Sequence, residues 1–216
     1  MKKAVSVIAV LLSIFIVMSC KENGVSTTAN HVTVSVSVSA GLEPGHKWRE
    51  QDGVIYLSVT SNGKTGEEWI KYLEDKKINM ADYTKATLRS KDFKPTSGVT
   101  TNIAVLKGVL FADDVRITSN ILSEAEHRKL TKPNAEIACL IRDKFTDKEI
   151  EAMGLLGIVV MHEPIKINYG SYGAPYLLGA GLRVSVYSLG AFRGNLGLRW
   201  LREDGFAFST EQIFSL

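Results

Sequence analysis

Apolar and polar residues follow two different rhythms along this chain, and the rhythm of each segment predicts its secondary structure. Period-two alternation or a short continuous apolar run predicts a strand, whereas apolar residues three or four positions apart predict a helix. The predicted strands are residues 54–60, 156–161 and 205–208. The predicted helices are residues 67–76, 81–89, 118–128, 133–144 and a short one opened by Thr146. Helices and strands intermingle without a regular repeat, which predicts a single α+β domain with a mixed β-sheet and several short helices.

Two segments are harder to assign from their pattern. Residues 99–106 fit a helical face, yet the β-branched residues at their start and the interior Gly108 favour a strand, which is our prediction. Residues 170–197 are rich in glycine, and we expect loops and bulges there, including glycines 179, 181, 190, 194 and 197.

Residues 32–39 alternate strictly between valine and a small polar residue, which predicts a half-buried strand. We favour a place in the sheet of the domain, with residues 182–188 as a plausible neighbour because they alternate in the same way. The other interpretation is a free edge that pairs with a partner chain.

The start of the chain has the layout of a secretory signal. Lys2 and Lys3 precede an apolar run of about 14 residues, shorter than the roughly 20 that a spanning helix needs. The run ends in Val17-Met18-Ser19-Cys20 and is followed at once by polar residues. This segment resembles a bacterial lipoprotein signal with a loose lipobox, in which the cysteine becomes an acylated N-terminus. An uncleaved anchor and an ordinary signal peptide are the alternatives.

This interpretation divides the chain into a signal peptide (1–19), a lipidated flexible tether (20–50) and a globular domain (51–216). It predicts a location outside the cytoplasm, in the bacterial cell envelope, with the lipid bilayer bound through acylated Cys20. Cleavage would remove two lysines and no acid, which leaves 24 basic against 23 acidic residues. The mature chain is therefore nearly neutral and has no basic run, so we exclude nucleic acid as a partner.

The second cysteine, Cys139, lies in a mostly apolar helical segment. If Cys20 carries lipid, no intrachain disulfide can form, and the domain must rely on its hydrophobic core. We therefore predict that Cys139 is a buried core residue and not a nucleophile.

One segment has some features of a phosphate-binding loop. Residues 61–66 contain Gly63-Lys64-Thr65 between a predicted strand and a predicted helix, but Ser58 stands where a P-loop needs its first glycine. A turn at Asn62-Gly63 followed by a capping box from Thr65 to Glu68 explains the segment without a nucleotide. We predict no cofactor and no metal ion.

His162 and Glu163 are the candidate catalytic residues, because they follow a predicted central strand at its C-terminal end. A histidine beside a carboxylate can act as a general base. An enzyme would also need Asp113, Arg199 or Asp204 to converge there. The other interpretation is structural: both side chains satisfy hydrogen bonds of the loop around Pro164.

Aromatic side chains in the glycine-rich region form a possible binding surface, because loops on a packed scaffold are where recognition usually lies. They are Tyr169, Tyr172, Tyr176 and Trp200. The other interpretation is that they are core residues of an irregular segment. We therefore expect a binding or interaction module for an unknown protein or small-molecule ligand, with a hydrolase-like enzyme at His162 and Glu163 as the alternative.

Several stretches of the domain resemble a family of uncharacterised bacterial proteins. The matching residues are 61–63, 65–70, 90–95, 132–136, 138–142, 151–155, 161–165, 199–201 and 205–208. The resemblance implies no mechanism. Members tend to carry an Asp-rich turn after the position of Pro164, whereas here residues 166–170 intervene, which weakens any metal site around His162.

Overall fold

The computed structural model describes residues 47–169, 172–184 and 187–212, and for residues 169, 172–175, 182–184, 187 and 188 it describes the backbone only. The strands are β1 (Trp48–Gln51), β2 (Val54–Asn62), β3 (Ser97–Lys107), β4 (Gly157–Val160), β5 (Ile165–Tyr169), β6 (Tyr172–Val184), β7 (Tyr187–Arg193) and β8 (Asp204–Ser209). The helices are α1 (Gly66–Asp75), α2 (Asp82–Leu88), α3 (Thr118–His127), α4 (Ile137–Lys144) and α5 (Asp147–Ala152), with a 3₁₀ turn at Gly108–Leu110.

The eight described strands form one mixed sheet. Its order is β1-β2-β3-β8-β4-β6, with β7 on one edge of β6 and β5 on the other edge, beyond the end of β4. All pairs are antiparallel except β4 and β8, which run parallel. With five helices packed on this sheet, the predicted single α+β domain is confirmed.

Each face of the sheet has its own core, because side chains alternate along a strand. On β8, Ala207 belongs to the larger cluster beneath α1, α2, α4 and α5. Phe206 and Phe208 point the other way and pack with Ile121 of α3 and with Trp200. All three β8 side chains are at most 1% exposed, so β8 is the buried centre of the domain.

Capping explains why helix α1 begins where the sequence predicts. The Thr65 hydroxyl accepts from the Glu68 N–H at 3.3 Å, and the Thr65 N–H donates to Glu68 Oε2 at 2.8 Å. Gly63, in the preceding turn, has φ +78° and donates its N–H to the Thr96 carbonyl. The predicted turn and capping box are therefore confirmed.

Helix α4 begins at Ile137, so our predicted start at Pro133 is wrong. Asn134 donates its side-chain amide to the Lys94 carbonyl at 2.6 Å. The buried Glu136 carboxylate accepts from the N–H of Thr96 at 2.9 Å and from its hydroxyl. These bonds hold the preceding segment against the 94–96 chain, and the helix starts only after them. Cys139 on α4 is fully buried, as predicted.

The glycine-rich region is mostly strand, so our expectation of loops and bulges is wrong for Gly179 and Gly190, which pair with each other in β6 and β7. It is confirmed for Gly181, which lies at a shift of the strand register, and for Gly194 and Gly197, which lie in the loop after β7. A Cβ at Gly179 would lie 2.9 Å from the Ile158 carbonyl oxygen, and one at Gly181 would lie 2.6 Å from the Gly157 Cα. Glycine therefore lets β6 approach β4 closely.

Of the segment 182–188, residues 182–184 end β6 and residues 187–188 begin β7, with Val184 opposite Tyr187, so its described residues belong to two strands. Their proposed neighbour, residues 32–39, lies outside the described residues.

The described fold starts within the segment that we assigned to the tether, because Trp48–Gln51 forms β1 and pairs with β2. Within the described ranges, no helix is both long enough and apolar enough to cross a membrane.

The close packing of α1 against α2 gives a stability test. A Cβ at Gly66 would lie 1.8 Å from the Leu88 carbonyl oxygen. Helix propensity alone predicts that Gly66→Ala stabilises the domain by up to about 1 kcal/mol. The clash instead predicts that it lowers the free energy of unfolding by at least about 2 kcal/mol. Urea denaturation measures the sign, and Gly197→Ala, which has open space around it, should change stability by less than about 0.5 kcal/mol.

Candidate functional site

His162 lies in a bulge of the chain between β4 and β5. This bulge interrupts the hydrogen bonding of these two strands to β6. Val159 pairs with Gly179, and Ile165 pairs with Tyr176. Five residues therefore separate the two paired positions on the β4–β5 side, whereas two separate them on β6. Because of the three extra residues, the chain at 161–164 leaves the hydrogen-bonded ladder. The facing backbone of β6 therefore lacks a partner from the backbone of a neighbouring strand.

The imidazole of His162 replaces that partner. The backbone N–H of Leu178 donates to Nε2 of His162 at 2.9 Å, and Nδ1 lies 2.7 Å from the Glu163 carbonyl oxygen. Because Nε2 accepts, Nδ1 must carry the proton and donate to that carbonyl. The ring is 2% exposed. Both ring nitrogens therefore hold the backbone of the bulge in place.

This arrangement keeps His162 neutral. The pKa of His162 is lowered to about 4, mainly by burial; Glu163 opposes this shift through its backbone hydrogen bond and its charge, and the nearby Lys132 adds to it. The charges that act on the His162 ring are thus Glu163 and Lys132, and not Asp113, Arg199 or Asp204. A general base needs a free nitrogen, and proton uptake at Nε2 would break the bond to Leu178.

The three polar residues that might have joined His162 serve elsewhere. The Asp113 carboxylate accepts from the buried Arg116 guanidinium at 2.7 Å, which lowers the pKa of Asp113. Arg199 donates to the Asp113 carbonyl oxygen at 2.5 Å. The buried Asp204 accepts from the Leu201 N–H at 2.8 Å and so fixes the turn into β8.

The predicted aromatic surface is not borne out where its side chains are described. Trp200 is 2% exposed, donates its indole N–H to the Thr118 hydroxyl at 2.9 Å and packs edge-on against Phe206. It is a core residue, and our placement of it on a binding surface is wrong. Tyr176 is half-buried and stacks on Tyr83, with ring centroids 5.8 Å apart. The side chains of Tyr169 and Tyr172 lie outside the described part of the chain.

Two features near the bulge were missed by the sequence analysis. Lys132 forms an ion pair with Glu163 at 2.6 Å, although 31 residues separate them. Together with His162 they border a pocket of about 230 Å³, which Leu196 also lines. Leu196 is 62% exposed, and its place in a short loop between two glycines is the one sequence signal that could have marked it.

Comparisons with protein-family models, curated proteins and solved structures find no match to this chain. Among the side chains that the structure describes, no group of three histidine, cysteine or acidic residues is placed to hold a metal ion.

The neutral state of His162 predicts a pH-dependent stability. The unfolded histidine takes up a proton near pH 6.5, whereas the folded one does so only near pH 4. The unfolded state therefore binds more protons between these values, and stability falls as the pH decreases from about 6.5 to about 4, by up to about 3 kcal/mol. Urea denaturation across this range should show the loss.

His162→Gln isolates this contribution, because its side-chain carbonyl can still accept from Leu178 and does not titrate. We expect the stability difference between wild type and His162→Gln to change across pH 4 to 6.5. His127→Gln, at an exposed position on α3, is the matched control. A difference that stays constant across this range would show that His162 is not held neutral by the fold.

Proposed function

We propose that this protein is a lipid-anchored, extracytoplasmic binding module of the bacterial cell envelope, which binds another protein through a surface on two adjoining loops. The signal-like pattern that ends at Cys20 supports the anchor. The distribution of exposed apolar side chains supports the binding role, and it is the observation that carries the proposal.

Seven large hydrophobic side chains are exposed in the described part of the chain. Five of them lie on residues 108–117, after β3, or on residues 194–203, before β8, which we call the two-loop surface. They are Val109, Leu110, Val115, Leu196 and Leu201, and they are 37–62% exposed. Exposed apolar residues scattered singly need no explanation, but their concentration on adjoining loops indicates an interaction site.

Backbone hydrogen bonds hold the two loops together. The Trp200 N–H donates to the Arg116 carbonyl at 3.0 Å, and the N–H groups of Thr118 and Ser119 donate to the carbonyls of Leu198 and Leu196 at 3.1 and 3.0 Å. A surface ordered in advance loses little conformational entropy when a partner binds.

Inside the first loop, a buried arginine fixes the chain. The Arg116 guanidinium donates to the carbonyls of Gly108 and Phe111, both at 2.8 Å. On the second loop, Arg199 and Arg202 are exposed among the leucines. Arginine next to apolar side chains is typical of protein–protein interfaces, which favours a protein as the partner.

The bulge supports a binding module over the alternative hydrolase. Both His162 nitrogens are hydrogen-bonded, and the acids and arginine that a hydrolase would need are bonded to other groups. We therefore assign His162 a structural role.

The anchor can be tested by phase partitioning in detergent. Each buried methylene of an acyl chain contributes about 0.8 kcal/mol, so a chain with more than one acyl group stays in the membrane almost permanently. Wild type expressed in a bacterium should enter the detergent phase, and Cys20→Ala should move to the aqueous phase or retain its signal peptide. If the wild-type protein stays in the aqueous phase, the proposal of a lipid anchor is wrong.

The two-loop surface can be tested by photo-crosslinking in intact cells. A photoreactive residue at Val115 or Leu201 should give a discrete protein adduct, and Leu196→Ser should weaken that adduct because it removes apolar contact area. Val99 and Leu156 are matched controls, because they are 49% and 45% exposed and lie outside these loops. Adducts of equal yield from all four positions, or none from Val115 and Leu201, would contradict this surface.

A further inference from the structure

The pocket beside the bulge has room for a small ligand. Its volume is about 230 Å³, and its apolar walls are Leu122, Met161, Pro164, Leu177 and Leu196. A protein cavity of roughly 150 Å³ with such walls binds benzene. This pocket therefore holds an aromatic ring or a branched alkyl group together with one small polar group.

The polar side chains that line the pocket decide which polar group a ligand must carry. Both nitrogens of His162 are engaged with the backbone. The Thr118 hydroxyl accepts from the Trp200 indole and donates to the Leu198 carbonyl at 3.4 Å. Lys132 carries three N–H donors, and one of them meets Glu163 at 2.6 Å. Lys132 is thus the lining side chain that can donate further hydrogen bonds, and a ligand that uses it must carry a hydrogen-bond acceptor.

Charge favours an anionic acceptor. The Lys132 and Glu163 side chains are 46% and 81% exposed, and an ion pair as open as this contributes little, so Lys132 can turn to a ligand. Thr118 and Leu122 bring the first turns of α3 to the pocket, and the positive end of a helix dipole also favours an anion there. The first N–H groups of α3 bond to the carbonyls of Leu198 and Leu196, so Lys132 provides the direct contact.

We propose that this pocket binds a compact apolar carboxylate, with its ring or alkyl group between Leu122 and Leu177 and its carboxylate on the ammonium of Lys132. This site adjoins the partner surface proposed above at Leu196, but its charged contact, Lys132, lies outside that surface, and the proposal does not depend on the lipid anchor.

The test is a titration of the full chain, reconstituted in lipid nanodiscs, by ligand-observed NMR. The probe is phenylacetate, and phenylacetamide is its neutral counterpart with nearly the same shape. We expect saturable binding of phenylacetate in the millimolar range or tighter, about tenfold stronger than that of phenylacetamide. Empty nanodiscs measure partitioning into lipid.

Two charge variants should act in opposite directions. Lys132→Gln should bind the acid and the amide equally, because the contact to the carboxylate is lost. Glu163→Gln should bind phenylacetate more tightly than wild type, because the competing carboxylate is gone. Lys166→Gln, at an exposed position nearby, should leave the preference for the acid unchanged, which excludes a general effect of positive charge.

A steric variant completes the test. Leu122→Trp should fill the pocket and remove binding of both probes, while thermal unfolding confirms that the domain stays folded. Three results would overturn the proposal: no saturable binding up to about 10 mM, equal binding of acid and amide by wild type, or an unchanged preference in Lys132→Gln. Equal binding of both probes that Leu122→Trp abolishes would instead show a pocket for neutral apolar groups.

Discussion

The insertion of β8 between β3 and β4 is the constraint on which the rest of the structure depends. Residues 204–209 form the last strand of the described chain, yet they occupy the middle of the sheet and pair with β3 on one side and β4 on the other. Without β8, strands β1–β3 and strands β4–β7 would form two separate small sheets. Each would have an unpaired edge strand and would lack the core side chains that β8 and the other sheet supply. The parallel pair β4–β8 joins them, and the side chains of β8 enter both cores. The domain therefore becomes one folding unit only when β8 is in place.

The bulge at 161–164 follows from the same arrangement. β4 is held by β8 as far as Met161, whose N–H bonds to the Ala207 carbonyl, and β5 must then pair further along β6. The three extra residues take up the mismatch, and an unpaired N–H in the buried interior would cost about 1–3 kcal/mol. His162 removes that cost with a neutral ring nitrogen. A histidine that the sequence suggests as catalytic is thus used to complete a β-ladder, and the bulge that it supports shapes the neighbouring pocket.

The two proposed functional features both arise where the regular sheet stops. The two-loop surface lies where β3 ends and where the chain returns towards β8, and the backbone bonds between 116–119 and 196–200 fix it. The pocket lies where β4 leaves the ladder. In each place bonds to neighbouring segments order the backbone, so some of the side chains there can stay exposed instead of filling the core. Leu196 borders the pocket and belongs to the surface, and so the two sites adjoin at one residue.

The sequence by itself determined the features that depend on near neighbours: the periodicity of most strands and helices, the capping box at Thr65, the short helix that Thr146 opens and the apolar setting of Cys139. These were predicted correctly because the interacting groups lie within a few residues of each other. Only the tertiary structure decided the order of the strands, the burial of Trp200 against Thr118, the role of His162 towards Leu178 and the pairing of Lys132 with Glu163. Those partners are 16 to 82 residues apart. The glycines of β6 belong to the same group: their pattern predicts loops, but the close approach of β4 makes glycine necessary in a strand. No local pattern records which distant groups will meet, because that depends on how the whole sheet closes.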